Sequence, residues 1–492
     1  METEMTLGDV DLSTVKSRSI TGIVTLISRS FVLQIISTAG FFLLSIFLGR
    51  PEIGLFIAVN DLVSILGYFS DIGLAASLIQ KKDKVTLTDL RTTFTLQQIL
   101  VVTMIGLTLF SSSWIINYYH IVGGGLWLFY SLLIAFFLAS LKTIPSVVLE
   151  RQLKFEILAA VEVVETIAFY LVAVYMAWKG YGISSYILAV LLRGLLGTGM
   201  IYLLAPWNIG FSVSRASLKS LLSFGLPYQI NSLMAVVKDR FLNIILWKLI
   251  GAEGVGIIGW AQTWSQKPLR FIMDNVTKVT FPGFSRMQDH PQELKSGIEK
   301  TLQFISLITF PVVGGMAVIA PTAVSLIPKY SKWEAALIPL AFYCWGSAWA
   351  AVSTPLTNTL NALGKVKTNT YLMIMWTVLT WALTPALAVR FGYLGVAYAT
   401  GIIALSSVVP VILVKRLVDF SIWESIVKPA LVTIGMMVVS KGLTIVLPAS
   451  VMGLAVNIIL SVFTFTGFVY LAFGNKLFAD TKKILYAFHK KT

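Results

Sequence analysis

Four ionisable residues recur at helical spacing inside one apolar run near the middle of the chain. Lys267, Arg270, Asp274 and Lys278 stand at positions i, i+3, i+7 and i+11. At ~100° per residue, their side chains fall within about 80° of one another on one helix face. Three of them are cations, and arginine pairs well with phosphate, so the stripe predicts a site for an anionic substrate. The alternative is that Arg270 and Asp274, four residues apart, neutralise each other.

A second polar stripe lies about two hundred residues earlier, also inside an apolar run. Asp61, Ser64, Tyr68 and Asp71 share one helix face. A carboxylate in such a position is suited to carrying a proton or to holding a gate closed. Asp61, Asp71 and Asp274 are therefore candidates for ion coupling or gating. For Asp71, which stands next to a lysine-rich turn, a local capping or pairing role is equally well supported.

Further cations in apolar runs join the candidate anion site. An ionised side chain at the centre of a bilayer costs roughly 2.5–3.5 kcal/mol on the insertion scale, so such groups face a cavity or a partner. For Glu162 and Glu165, a structural ion pair with Arg193 across helices is favoured over a role in transport. The predicted headgroup-binding set comprises Arg29, Lys142, Arg240, Lys267 and Arg270.

The composition places these residues in a membrane protein. Of 492 residues, 57% are hydrophobic and only 12% are charged, against roughly 25% charged residues in a soluble domain. The net charge of +15 is spread over many short loops, which argues against a nucleic-acid partner. The single cysteine excludes an intrachain disulfide, and the three histidines form no local metal motif, so no cofactor is expected.

The apolar runs predict an all-α polytopic fold with about fourteen transmembrane helices. Most lysines and arginines fall in alternate connecting segments, which places both termini in the cytoplasm by the positive-inside rule. The predicted spans are 20–48, 54–80, 91–116, 125–148, 156–178, 182–205, 220–248, 254–282, 299–327, 333–361, 367–389, 393–415, 425–447 and 452–474.

A weak internal repeat organises the spans. Gly49 aligns with Gly251 and Gly54 with Gly256 at an offset of 202 residues, and Asp71 aligns with Asp274 at 203. Because six spans separate the copies, they run in the same direction, as in transporters built from two parallel six-helix lobes. The predicted divisions are a cytoplasmic segment 1–19, an N-lobe 20–205, a C-lobe 206–418, two further helices 419–475 and a basic cytoplasmic tail 476–492, either amphipathic or disordered.

Three sequence stretches resemble a known family. "SDIGLAASLIQKKD" after the second span, "FPGFSRMQDHPQELK" after the eighth and "LNALGKVK" after the tenth are similar to the Wzx-type oligosaccharide flippases of the multidrug/oligosaccharidyl-lipid/polysaccharide (MOP) superfamily. The resemblance implies a two-lobed transporter in the bacterial inner membrane. Its implied substrate is an undecaprenyl-diphosphate-linked oligosaccharide of O-antigen, capsule or exopolysaccharide. By this analogy Arg29 and Arg270 are the expected diphosphate contacts.

The resemblance also implies alternating access as the mechanism. The implied partners are the lipid-linked oligosaccharide, the bilayer and polysaccharide polymerase or export machinery. A proton or sodium gradient, or the membrane potential, is the candidate energy source, because no nucleotide-binding motif is present. The alternative function is cation-coupled export of drugs or other small molecules. An enzyme acting on the same lipid is not expected, because the outer loops are short and carry almost no catalytic carboxylates or histidines.

Overall fold

The apolar runs fold as α-helices, because a bilayer offers the backbone no hydrogen-bond partner outside the chain. The computed structural model describes residues 12–81, 85–119, 121, 123–236 and 240–489, and in these ranges it contains helices and no strand. Thirteen helical segments in the described ranges are long and apolar enough to cross a membrane. The predicted all-α polytopic fold is confirmed.

The chain divides into two compact units, Met1–Gly256 and Ile257–Thr492. The predicted lobe boundaries at residues 205 and 418 remain predictions. The helices that begin in the first unit are α1 (Leu12–Phe47), α2 (Arg50–Asp71), α3 (Leu74–Gln80), α4 (Leu87–Phe110), α5 (Ser112–Tyr119), α6 (Gly124–Leu141), α7 (Thr143–Arg151), α8 (Phe155–Trp178), α9 (Ser184–Leu204), α10 (Arg215–Val236) and α11 (Leu242–Arg286).

The second unit contains the remainder of α11 and seven further α-helices. A 3₁₀ turn at Ser331–Ala336 precedes the second of them, and a π turn at Trp423–Val427 precedes the sixth. The seven are α12 (Pro291–Leu326), α13 (Leu337–Ala362), α14 (Val366–Phe391), α15 (Tyr393–Leu405), α16 (Val408–Leu417), α17 (Lys428–Val446) and α18 (Val451–His489).

The difference between fourteen predicted spans and thirteen observed segments arises at one place. The predicted span 220–248 corresponds to α10 and the first turns of α11, which are separated at residues 237–239, outside the described ranges. The next predicted span, 254–282, begins just after Gly251, where the backbone leaves helical geometry at φ 67°. Because glycine adopts positive φ without steric cost, Gly251 accommodates this break within α11.

Each unit repeats the same packing order. In the first unit, the fourth span (α6) and the fifth span (α8) both pack against the sixth (α9). In the second unit, α13 and α14 both pack against α15, and these helices form the tenth, eleventh and twelfth predicted spans. A duplicated six-helix arrangement predicts this recurrence.

One core of the first unit forms where α3, α4 and α7 meet. Leu74, Leu78 and Ile144 are fully buried there, and Arg151 at the end of α7 donates from Nη1 to the carbonyl oxygens of Leu78 (2.7 Å) and Lys81 (2.9 Å). The carbonyls that end α3 therefore receive a cationic cap, because the last turn of a helix cannot satisfy them internally.

The core of the second unit gathers side chains from α11 to α16. Leu302, Val352, Leu356 and Val414 are almost completely buried in it. Apolar side chains elsewhere remain exposed, as in Phe110 of α4, which is 90% exposed. A protein that is solvated by lipid needs no polar cover on such surfaces. The backbone of α18 breaks at Gly474 (φ 61°) and continues as helix to His489, while the side chains of the predicted tail lie outside the described residues.

Candidate functional site

A buried ion pair joins two of the predicted site residues within the first unit. Arg240 contacts the Asp61 carboxylate through Nη1, and Asn243 donates from Nδ2 to the other carboxylate oxygen at 2.6 Å. The Asp61 side chain is only 8% exposed, whereas that of Arg240 is 39% exposed. Both carboxylate oxygens of Asp61 therefore have partners in one short segment, residues 240–243. These contacts link α2 to the beginning of α11. Asp61 was predicted as a coupling or gate residue and Arg240 as a headgroup contact.

Toward its N-terminal end, α2 crosses α11 with the two backbones in contact. A Cβ atom added at Gly54 would overlap the main chain at Ala252, and one added at Gly256 would overlap that of Arg50. A salt bridge of 2.9 Å between Arg50 Nη1 and Glu253 Oε1 closes the same end of the crossing. Gly54 and Gly256 are also the pair that the repeat alignment matched. Contact between equivalent positions is the geometry that a two-fold relation produces near its axis.

At its other end, α2 meets α10 through a second glycine pair. Gly73 (φ 73°) follows the end of α2, and a Cβ atom added there would lie 2.8 Å from the Gly225 Cα. Gln229 Nε2 donates to the Tyr68 carbonyl oxygen. Asp71 accepts a hydrogen bond of 3.3 Å from the Ala75 backbone N–H. Asp71 thus makes the local capping contact that was one of its two predicted roles, and its predicted gating role remains a prediction.

Three cations of the first six spans, Arg29, Lys142 and Arg193, are paired with carboxylates. Arg29 Nη2 lies 2.6 Å from Glu162 Oε2. Lys142 Nζ contacts Glu165, and Arg193 Nε lies 3.7 Å from the same carboxylate. Glu165 therefore pairs with Arg193 across helices, as the structural alternative proposed, and Glu162 pairs with Arg29 instead. Arg29 and Lys142 carry partly compensated charge, although the buried Arg29 Nε has no hydrogen-bond partner among the described residues.

The predicted basic stripe lies on α11 in the second unit. Lys267 is half-buried, and Arg270 is exposed and donates from Nη2 to Gln266 Oε1 at 3.0 Å. The side chains of Asp274 and Lys278 lie outside the described residues. Arg270 is thus the most exposed of the five predicted headgroup contacts, since the other four are partly buried.

The aromatic side chains beside the stripe belong to the packed interior of the second unit. Trp260 is 3% exposed, and its indole ring stacks on Trp333 with ring centroids 5.2 Å apart. Its Nε1 donates to the Tyr330 hydroxyl at 3.3 Å. Such stacking contributes ~0.5–1.5 kcal/mol beyond burial alone. Trp260 therefore anchors the helix that presents the cations, and it is not available to a sugar face.

Several contact residues escaped the sequence reasoning. Asn243, Gln229 and Gly225 make polar or close contacts that depend on residues more than a hundred positions away. Periodicity identifies a helix face but not the residue that faces it. Gly225 had a signal only in the internal repeat, where it aligns with Gly22 at an offset of 203 residues, and this alignment did not indicate its contact with Gly73.

Comparison with known proteins assigns the family. A family model described as "Polysaccharide biosynthesis protein" matches residues 43–339, more than half of the chain. The chain belongs to this family. The matched region includes α2 to α11, and hence the glycine crossings, the Asp61 pair and the stripe on α11.

Two curated relatives of this polysaccharide biosynthesis protein carry names that agree with the family. The teichuronic acid biosynthesis protein TuaB of Bacillus subtilis is 26% identical over 76% of this chain and 78% of its own length. The lipopolysaccharide biosynthesis protein WzxC of Escherichia coli is 25% identical over 38% of this chain. That second match spans only 39% of the relative's length.

Solved structures define the fold class of this family member. A lipid II flippase, MurJ, in an inward closed conformation superposes with a TM-score of 0.74 at 15% identity, covering 91% of this chain and 98% of that one. An inward-facing multidrug resistance transporter of the MATE family superposes with a TM-score of 0.57, covering 80% of this chain and 98% of that one. The chain is therefore a polysaccharide biosynthesis protein with the same fold as these two transporters.

Proposed function

We propose that this protein is a flippase that moves an oligosaccharide linked to undecaprenyl diphosphate across the bacterial inner membrane. The family match and the transporter fold support the reaction class. The observation that carries the proposal is the set of contacts along α2. One glycine crossing lies at each end of α2, with the buried ion pair of Asp61 between them, so the two ends of the helix have separate contacts. Alternating access requires this separation.

The proposed headgroup contacts are Arg270 and Lys267 on α11, with Arg29 as a further contact. Arg270 is exposed, and its guanidinium geometry suits a diphosphate. Arg29 and Lys142 are weaker candidates for headgroup binding than Arg270, because carboxylates partly neutralise their charges. Arg240 ranks lower for the same reason. The diphosphate would bind from the cytoplasmic side while the polyprenyl chain remains in lipid.

The test is complementation of a strain whose surface polysaccharide depends on this gene. Arg270→Ala should abolish export at normal protein levels, and Arg270→Lys should restore part of it. Arg416→Ala is the matched control, because Arg416 is an exposed cation at the end of another helix. Full export by Arg270→Ala would exclude Arg270 from the headgroup site.

We propose that Asp61 couples transport to a proton or sodium gradient. Protonation of Asp61 would remove its attraction to Arg240 and so weaken one link between α2 and α11. If coupling operates here, Asp61→Asn should uncouple transport from the gradient without removing the protein from the membrane. If export by Asp61→Asn still stops when the gradient is dissipated, as in the wild type, the coupling group lies elsewhere.

Drug export is the less favoured function. A cationic drug requires uncompensated carboxylates, whereas Glu162 and Glu165 are both held by cations. The two functions separate in a deletion strain, since only the drug exporter predicts a change in drug sensitivity without loss of polysaccharide.

We further propose that both termini face the cytoplasm and that polysaccharide polymerase or export machinery is a partner.

A further inference from the structure

A cavity of about 650 Å³ opens at one end of the first unit, away from the ion pair. It lies where α2 begins, α5 ends, α6 begins and α11 breaks at Gly251. In the proposed orientation these ends face outward. The volume falls within the ~300–1,000 Å³ typical of small-molecule sites. We name it the outer pocket, defined by Glu52, Asn117, Tyr118, Tyr119, Trp247 and Lys248.

Two polar groups of the outer pocket lack partners. Tyr119 is 3% exposed, and its buried hydroxyl makes no hydrogen bond with any described residue. Burial raises the pKa of Tyr119 well above its usual value, so the hydroxyl remains a neutral donor. Glu52 is half-buried and makes no ion pair or hydrogen bond with the described part of the chain. A buried hydroxyl without a hydrogen-bond partner destabilises the folded state, so a ligand that accepts a hydrogen bond from it recovers this free energy.

Aromatic side chains and one cation form the rest of the wall. Trp247 is buried, its Nε1 donates to the Tyr119 carbonyl oxygen at 3.0 Å, and its ring lies 5.5 Å from that of Tyr119. The exposed Lys248 places Nζ 5.5 Å from the centre of the Tyr118 ring. The pocket therefore offers a carboxylate acceptor, a hydroxyl donor, an amide and an ammonium group between apolar ring surfaces.

We propose that the outer pocket binds a pyranose sugar unit. A pyranose presents adjacent hydroxyl groups, which both donate and accept, around an apolar C–H surface. Glu52 would accept from the sugar hydroxyls, and Tyr119 and Lys248 would donate to them. This inference rests on the proposed function, because it assigns the pocket to the glycan of the translocated substrate as it reaches the outer face.

Tyr119→Phe provides the discriminating variant. If Tyr119 only fills space, removing an unpartnered buried hydroxyl leaves stability unchanged or raises it and affects no ligand. If it donates to a sugar, the same variant weakens binding about tenfold while the protein stays folded. Glu52→Gln should likewise weaken binding about tenfold. The matched control is Tyr181→Phe, since Tyr181 is an exposed tyrosine outside the pocket lining.

The experiment is saturation-transfer NMR on the purified full-length protein in detergent. The probes are methyl α-D-glucopyranoside, N-acetylglucosamine and glucuronic acid, with open-chain sorbitol as the control polyol. We expect at least one pyranoside to bind saturably and sorbitol not to bind. We also expect weaker binding in Tyr119→Phe and Glu52→Gln, and unchanged binding in Tyr181→Phe. Absence of saturable binding by all three sugars, or equal binding by all variants, would overturn the proposal.

A separate measurement distinguishes this failure from failure of the proposed function. If the deletion strain loses surface polysaccharide but no probe binds, only the outer pocket is refuted. If the deletion strain keeps its polysaccharide, the proposed function fails whatever the NMR shows. Binding that depends on Tyr119 and Glu52 would then still identify a sugar site.

Discussion

Breaking the Asp61–Arg240 pair tests how α2 is held to the segment that follows it. In Arg240→Ala, the hydrogen bond from Asn243 is the one contact that the buried Asp61 carboxylate keeps with the described residues. Removing one partner of a buried ion pair typically costs about 3–5 kcal/mol, because the other charge stays buried and uncompensated. Water reaches the 39% exposed Arg240 side chain, so we expect a smaller loss of about 2 kcal/mol.

The melting temperature converts this loss into a measurable shift. For a domain of 150–250 residues, about 1 kcal/mol corresponds to ~2–4 °C. Arg240→Ala should therefore lower the Tm of the purified protein in detergent by about 4–8 °C. Asp61→Asn should lower it less, because the cation that it leaves behind is partly hydrated. The double variant Asp61→Asn/Arg240→Ala should be more stable than the sum of the single effects predicts, because it buries no charge.

A surface pair on another helix provides the control. Lys415 and Asp419 lie 3.6 Å apart, with Asp419 86% exposed, and such pairs contribute roughly 0–1 kcal/mol. Asp419→Asn should leave the melting temperature nearly unchanged. If Arg240→Ala melts within a degree of the wild type, the pair is not a stabilising link. Strictly additive effects in the double variant would show that the two side chains do not interact.

Three further predictions concern other contacts. Gly54→Ala should reduce export and lower the melting temperature, because its Cβ atom would overlap backbone atoms of α11. Gly67→Ala on the same helix should change neither, because the nearest neighbour of its Cβ atom lies 4.0 Å away. Equal behaviour of the two variants would refute a tight crossing. Arg151→Ala should lower the melting temperature by removing the cap of α3, with Arg151→Lys partly restoring it, and an unchanged unfolding curve would show that the cap is dispensable. In a variant lacking the native cysteine, Lys179→Cys should react with a membrane-impermeant maleimide added to intact cells and Lys365→Cys should not; the reverse pattern would invert the proposed orientation.

The sequence predicted those features that depend on local chemistry. Apolar runs gave the spans, because a bilayer demands about twenty apolar residues per helix. The predicted span boundaries fell near Gly251 and Gly474, where the backbone breaks at positive φ. The repeat alignment placed Gly54 with Gly256, and these residues make contact.

The partners of the intramembrane charges could not be predicted in the same way. A helical pattern fixes the angle of a side chain about its own axis but not the neighbouring helix that it meets. Glu162 was paired with Arg193 from sequence and instead meets Arg29, which is more than a hundred residues away along the chain. Asp61 and Arg240 entered separate candidate sites, one acidic and one basic, and the fold brings them together.

The repeat alignment also bears on the proposed headgroup contacts. At the offset that aligns Asp71 with Asp274, Lys267 aligns with Ser64 and Arg270 aligns with Gly67. The two copies therefore share a scaffold carboxylate, while only the second copy carries cations at these two positions. A symmetric scaffold carries the same carboxylate in both halves, whereas the proposed anionic headgroup needs positive charge at one place. Within the part of the chain that the structure describes, the exposed Arg270 combines these properties: it departs from the repeat, it lies on a packed helix, and its hydrogen bond to Gln266 is with a neutral group.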